Sequence, residues 1–136
     1  MSDDGYRNHD WSFRTITNRN SHDILVGQCN RYNIPTVLHV YNSSVPRCQS
    51  FLTVFEEFAK RHDPVDETSI QYAKMDYTPE TSFMFKFAPN QLPITVAMFG
   101  GKWARTVTGP EIGEIESMVT EMVKEYQAAG GVLPDG

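Results

Sequence analysis

The run Ile34-Pro35-Thr36-Val37-Leu38-His39-Val40-Tyr41-Asn42 constrains this chain more than any other stretch. A strand that leaves one face to water alternates apolar and polar residues. This one is apolar at odd and even positions alike, with His39 the exception, so both its faces must be covered. Such a strand belongs at the centre of a sheet with further structure packed on either side. It runs directly into Asn42-Ser43-Ser44-Val45-Pro46-Arg47-Cys48-Gln49-Ser50-Phe51. A helix is expected from there, with Phe51, Leu52, Phe55 and Phe58 as its apolar stripe and Glu56, Glu57 and Lys60 facing water. Pro46 fits the first turn of that helix, where a backbone N–H has no helical partner anyway.

The rest of the chain alternates in the same way. Ser12–Thr17 reads as a short strand, and polar residues follow in which Ser21 is a candidate helix N-cap. The next helix puts Ile24, Leu25, Cys29 and Tyr32 near one face, with Cys29 acting as a small buried hydrophobe. Ser69–Tyr77 is a strand, and Pro79–Pro89 a short helix ended by Pro89. Leu92–Gly109 is a hairpin turning at Gly100-Gly101. Ile115, Met118, Val119, Met122, Val123 and Tyr126 form the inner stripe of a last helix, which glycines stop. The order is β-α-β-α-β-α-β-β-α. Helices between strands imply parallel pairing by right-handed crossovers, and the hairpin adds antiparallel strands. The expected class is therefore α/β, with helices on both faces of a mixed sheet. Residues 12–130 form the domain, 1–11 an acidic tail and 131–136 a C-terminal tail.

With 136 residues, one domain can bury a sizeable core. A net charge of −5, with no basic stripe, argues against nucleic acid as a partner. No apolar run approaches the roughly 20 residues of a membrane span. The polar, acidic start (MSDDGYRNHD) is neither a secretory signal nor a transit peptide. Two cysteines far apart, Cys29 and Cys48, make no disulfide framework and suit a reducing compartment, so the expected location is cytoplasmic. The four histidines have no metal-ligand spacing, and no phosphate loop or nucleophile elbow is present. No cofactor or metal is therefore expected. Arg61–Glu67, charged but without ligand geometry, reads as a solvated loop.

Three segments in this order resemble the thioredoxin fold from about Ser12 to Tyr126. They are the strand Thr36–Asn42 leading through a turn and a proline to a cysteine that opens a helix, the strand Tyr72–Tyr77 with its internal Lys74, and Gln91–Lys102, with Pro93 in the place of a cis-proline before a strand and a glycine hairpin. The resemblance puts Cys48 at the second position of the family's Cys-x-x-Cys and Val45 at the first, the attacking one. It also puts His39 where thioredoxins bury an aspartate, and Lys74 at that aspartate's lysine neighbour. The stretch Val40–His62 is also similar to the thioredoxin-like domain of phosducin-like proteins, which keeps a lone cysteine at the second position. Those proteins carry a further helical domain for which this chain has no room, so that likeness speaks for a lost nucleophile rather than for a particular partner.

Thiol–disulfide exchange needs an exposed thiolate to attack and a second thiol to resolve the mixed disulfide. Valine at position 45 removes the attacker. The resemblance then implies a non-catalytic module that binds a protein or extended peptide. Its groove would lie between the turn Ser43, Ser44, Val45, Pro46, Arg47 and the cis-proline segment Leu92–Pro93, flanked by the loop near Tyr77, with His39 and Lys74 as buried polar support. Family members hold an extended peptide against the backbone just before the cis-proline, which requires no cysteine. The alternative is an atypical redox protein using Cys48 as a single thiol, favoured there by the helix start and by Arg47. A third reading, a subunit of a larger complex, would gain from exposed aromatics at Trp103, Phe83 or Phe85.

Overall fold

The structure is a computed structural model that describes residues 13–32, 34–61, 70–82, 91–100 and 103–130. Its elements in chain order are β1 (Phe13–Ile16), α1 (Arg19–Tyr32), β2 (Thr36–Tyr41), α2 (Pro46–Arg61), β3 (Gln71–Asp76), β4 (Ile94–Phe99), β5 (Trp103–Thr108) and α3 (Ile112–Ala128). The expected helix after β3 lies outside the described residues from Phe83 on, and only the turn that leads to it is seen. Both tails and the loop after Arg61 also lie outside them.

The five strands form one mixed sheet in the order β1-β3-β2-β4-β5. β2 is central and buried at all six positions, as its two-sided apolar sequence requires. It runs parallel to β3, which is parallel to β1, and antiparallel to β4. β4 turns at Gly100, whose φ of 63° favours glycine, into antiparallel β5 at the edge. Alternate residues of β2 feed two cores. Val37 joins Tyr72, Ala97 and Val107 beneath Phe51, Phe55 and Phe58 of α2 and Ile115, Met118, Val119, Met122 and Tyr126 of α3. Leu38 and Val40 join Ala73, Met75, Ile94 and Ile16 on the other face, where Leu25 of α1 covers them. Helices thus lie on both faces.

Three local expectations are corrected. The cap of α1 is Asn18, not Ser21. Asn18 Oδ1 accepts the Ser21 N–H at 2.9 Å, and Ser21 Oγ in return accepts the Asn18 N–H at 3.2 Å. The two residues form a reciprocal capping box, with Ser21 as its third-position member. Ile24 does not share the buried face. It is 47% exposed, because the inward stripe runs through Leu25 and Cys29, four residues apart, and Ile24 stands a step of 100° to one side. Glu56 does not simply face water: it stands one turn beyond Leu52, on the flank of the α2 stripe, and its Oε2 accepts a hydrogen bond from Lys74 Nζ at 2.7 Å. The Tyr32 and Lys60 side chains lie outside the described ones.

Candidate functional site

The turn after β2 is held almost wholly by its own groups. Asn42 supplies two acceptors: Oδ1 takes the Ser44 N–H at 2.8 Å, and the main-chain oxygen takes the Val45 N–H at 2.9 Å. The Val45 carbonyl then accepts the Cys48 and Gln49 N–H groups at 3.0 and 3.1 Å, which starts α2. Pro46 is the first residue of that helix, where its missing N–H costs nothing. Two clasps tie the turn to its surroundings. Ser43 donates through its backbone N–H to Asp76 Oδ1 (3.0 Å) and through its hydroxyl to Oδ2 (2.8 Å), fixing the turn to the end of β3. Arg47 Nε donates to the Leu92 carbonyl at 2.9 Å, fixing it to the segment before β4. Gln49 Nε2 donates to the Ser43 carbonyl and closes the turn from within.

On the far side of the Arg47 clasp, the Leu92–Pro93 bond is cis. The Pro93 carbonyl accepts the Gly109 N–H at 2.7 Å. The flanking loop is equally tied: the Tyr77 N–H bonds the Tyr41 carbonyl, and Thr81 Oγ1 donates to the Asp76 carbonyl while accepting the Thr78 N–H. Ser43, Ser44, Pro46 and Arg47 are exposed and Val45 is half-buried, so these five form a surface rim. Leu92 and Pro93 are buried at its floor.

Cys48 is not part of that surface. It has no exposure and packs in the cluster of Leu38, Val40, Tyr41, Leu92 and Ile94, with Val45 and Leu52 against it. Cys29 is also buried, with its thiol 3.8 Å from the Met98 carbonyl oxygen, and burial pushes its pKa up. The chain's two sulfhydryls are therefore both buried, on different helices. An attacking thiolate must reach its disulfide partner, and neither sulfur can do so from where it lies.

His39 and Lys74 are cross-strand neighbours in the β2–β3 register, but they do not act as a pair. The His39 ring is fully buried, stacked 4.4 Å from Phe55 at 12°. Its Nδ1 lies 2.8 Å from Oγ1 of Thr95, its neighbour on β4, and its Nε2 is buried without a hydrogen-bond partner. Desolvation alone lowers its pKa to about 3, so the ring is neutral. Lys74 contributes nothing to that shift, and its ammonium is engaged by Glu56. Lys74 is also not buried, its side chain keeping 23% exposure. Where the resemblance implies a carboxylate on β2 beside this lysine, the carboxylate comes instead from α2. Tyr41, at the end of β2, has its phenol pKa raised by burial, then by the charges of Asp76 and Glu56.

Comparison with known proteins places this geometry. No family model matches the chain, and no curated protein does. Among solved structures, the spinach chloroplast thioredoxin f (long form) superposes with a TM-score of 0.70 over 88% of this chain and 93% of its own, at 12% identity. Thioredoxin O1 of Arabidopsis thaliana in its oxidised state gives 0.66 over 81% and 96%, at 13% identity. The Schistosoma mansoni thioredoxin pre-protein, reduced, gives 0.64 over 82% and 98%, at 18% identity. The chain has a thioredoxin-like fold. At these identities the likeness extends to the fold and no further.

Within the thioredoxin-like fold, the residues missed by sequence reasoning are Asp76, Glu56 and Thr95. Asp76 was recoverable, since equal six-residue strands on either side of a crossover place the last residue of β3 opposite Tyr41 and beside the turn. Thr95 needed the antiparallel register of β4, and Glu56 the rotation of α2, neither of which is written locally. Trp103 is not an open aromatic: its ring stacks on Phe99 at 5.5 Å, and the Arg105 guanidinium lies 5.0 Å from its centroid. Phe83 and Phe85 lie outside the described residues. Among the described residues no three His, Cys, Asp or Glu side chains are grouped to hold a metal, and no helix is long and apolar enough to cross a membrane.

Proposed function

We propose that this chain is a non-catalytic binding module of thioredoxin-like fold, taking a protein or extended peptide at the rim Ser43–Arg47 above Leu92–Pro93. The observation that carries this reading is the complete burial of Cys48, in a cluster against which Val45 packs. Of the rim residues Ser43, Ser44, Pro46 and Arg47 are exposed and none carries a thiol, and the segment Gln91–Pro93 lies outside the β2–β4 ladder, which begins at Ile94. Main-chain recognition by strand addition depends on such unladdered backbone and needs no sulfur. The alternative, a single-thiol redox protein using Cys48, draws on the position of that residue in the first turn of α2. Its zero exposure sets it second.

The test is reduction of insulin by dithiothreitol, followed as turbidity. The expected result is a time course identical to that without the protein. Acceleration that disappears in Cys48→Ser would replace the binding reading with the redox one. A direct check is amide chemical-shift mapping with an extended peptide pool, where shifts should gather at Ser43–Arg47 and Leu92.

A further inference from the structure

The sheet ends at β5, and among the described residues the outer side of that strand pairs with no other strand. Which of its backbone groups point outward follows from one bond. The Gly109 N–H donates to the carbonyl of Pro93, the residue directly opposite it in the register that sets Ile94 against Thr108. Hydrogen-bonded pairs alternate along an antiparallel ladder, so Trp103, Arg105 and Val107 turn their N–H and C=O groups toward β4. Those of Ala104, Thr106 and Thr108 turn away from the sheet. The side chains of these three are exposed and uncharged, and each is small or β-branched, which suits a further strand. The Ala104 carbonyl on this edge is already engaged. Arg105 Nη1 donates to it at 3.0 Å, with the guanidinium 5.0 Å from the centre of the Trp103 ring.

We infer that the outer edge of β5 is a pairing surface for a second copy of this chain, and that Arg105 holds it shut. A twofold axis at Thr106 sets two β5 strands antiparallel, with Thr106 opposite itself and Ala104 opposite Thr108. Every outward N–H and C=O then meets its complement, and Thr–Thr and Ala–Thr neighbours share one face. Other registers are poorer. An axis at Arg105 sets two guanidinium groups against each other, and an axis at Val107 sets Ala104 against Pro110, which has no N–H. A second β5 also arrives already extended in its own sheet, so it escapes the ordering cost that a free peptide meets. Against this pairing stands the Arg105 bond. In the favoured register the Ala104 carbonyl must accept the Thr108 N–H of the other copy, and in each copy the guanidinium occupies that carbonyl. The two Arg105 side chains would also stand diagonally across the axis, where like charges repel. A charged side chain folded onto its own edge thus keeps one sheet from joining another.

The test is sedimentation velocity of the full chain and of Arg105→Thr over a range of concentrations, with amide exchange read on the same samples. Arg105→Thr should tighten association by about tenfold or more relative to the unaltered chain. Exchange in the variant should slow with concentration at Ala104, Thr106 and Thr108, and stay unchanged at Trp103 and Val107, whose groups already face β4. Adding Thr106→Pro removes an outward donor but no bond to β4, so the double variant should stay folded and lose the added association. Exchange at Val37 and Leu38 equal to that of the unaltered chain shows that each variant keeps its core. The inference is overturned if Arg105→Thr sediments like the unaltered chain at every concentration. It is overturned equally if the variant associates with those three amides unprotected, or if its association survives Thr106→Pro. An unaltered chain that already pairs through the same three amides shows that Arg105 closes nothing.

Discussion

The turn Ser43–Cys48 and the layer around His39 are successive parts of one strand–helix unit, yet opposite means hold them. The turn is fastened by short polar bonds at the surface, each replaceable by water or by a partner's groups. The His39 layer is fastened by packing, with Phe55 stacked on the ring, Phe51 at 5.7 Å, and a ring nitrogen left without a partner. Surface hydrogen bonds contribute about 1 kcal/mol net, while a buried aromatic contributes several. The difference teaches where this fold can exchange partners. Groups at the turn can trade bonds at small cost, whereas the layer beneath cannot open without unfolding.

Acid should expose the weakness of the packed layer first. The folded pKa of His39 is about 3, against about 6.5 for an unfolded histidine. Between those values the unfolded chain binds a proton that the folded chain refuses. His39 therefore lowers stability as pH falls from 6.5 through 3, by about 5 kcal/mol at full extent, and has no further effect below that. Urea unfolding at a series of pH values should show this slope, and His39→Leu should flatten it. An unchanged slope in that variant would mean that the ring is hydrated and titrates normally. Next in size is Phe55→Ala, which removes the ring stacked on His39 and is expected to cost about 4 kcal/mol in the same assay at neutral pH. A cost below about 1 kcal/mol would show that the layer collapses around the gap, and the contrast with the turn would fail.

Much of this contrast is legible in the sequence, and the reasons differ by residue. The two-sided apolar run Thr36–Tyr41 dictates a central strand because no other environment covers both faces. The stripe Ile115–Tyr126 dictates a helix on the sheet, and Val45 is legible as the residue standing where the resemblance implies an attacking thiol. Ile24 is hard to place from sequence because, among the described residues, the inward stripe of its helix is Leu25 and Cys29, which leaves the orientation to small differences between neighbours. Asn18 and Ser21 share the same capping chemistry, and only geometry shows that Asn18 precedes the first helical turn. The Ser43–Asp76 clasp joins residues 33 positions apart but follows from the lengths of β2 and β3, whereas the Lys74–Glu56 pair, 18 positions apart, depends on the rotation of α2, which nothing local encodes.

Cys48 lies between the two regions and sharpens the line dividing them. Its sulfur is buried like the His39 ring but in the core on the other face of the sheet, so Cys48→Ser should cost about 1–3 kcal/mol by placing an unpaired hydroxyl among Leu38, Val40 and Leu92. In the folded protein its alkylation should occur only through unfolding, at a rate that rises with urea. Rapid modification in native buffer would move Cys48 to the turn and revive the single-thiol reading.

The smallest effect belongs to the turn. Asp76→Asn keeps one oxygen for Ser43 and replaces the other with an amide nitrogen, so one of the two Ser43 bonds is lost and its donor turns to water. Because Ser43 is exposed, that donor remains satisfied, and the expected cost is under about 1 kcal/mol. The visible change should instead be local: faster amide exchange at Ser43 and Ser44, and none at Val37 or Leu38. If exchange in β2 quickens as well, the clasp supports the central strand rather than the turn alone, and the two regions are one mechanical unit.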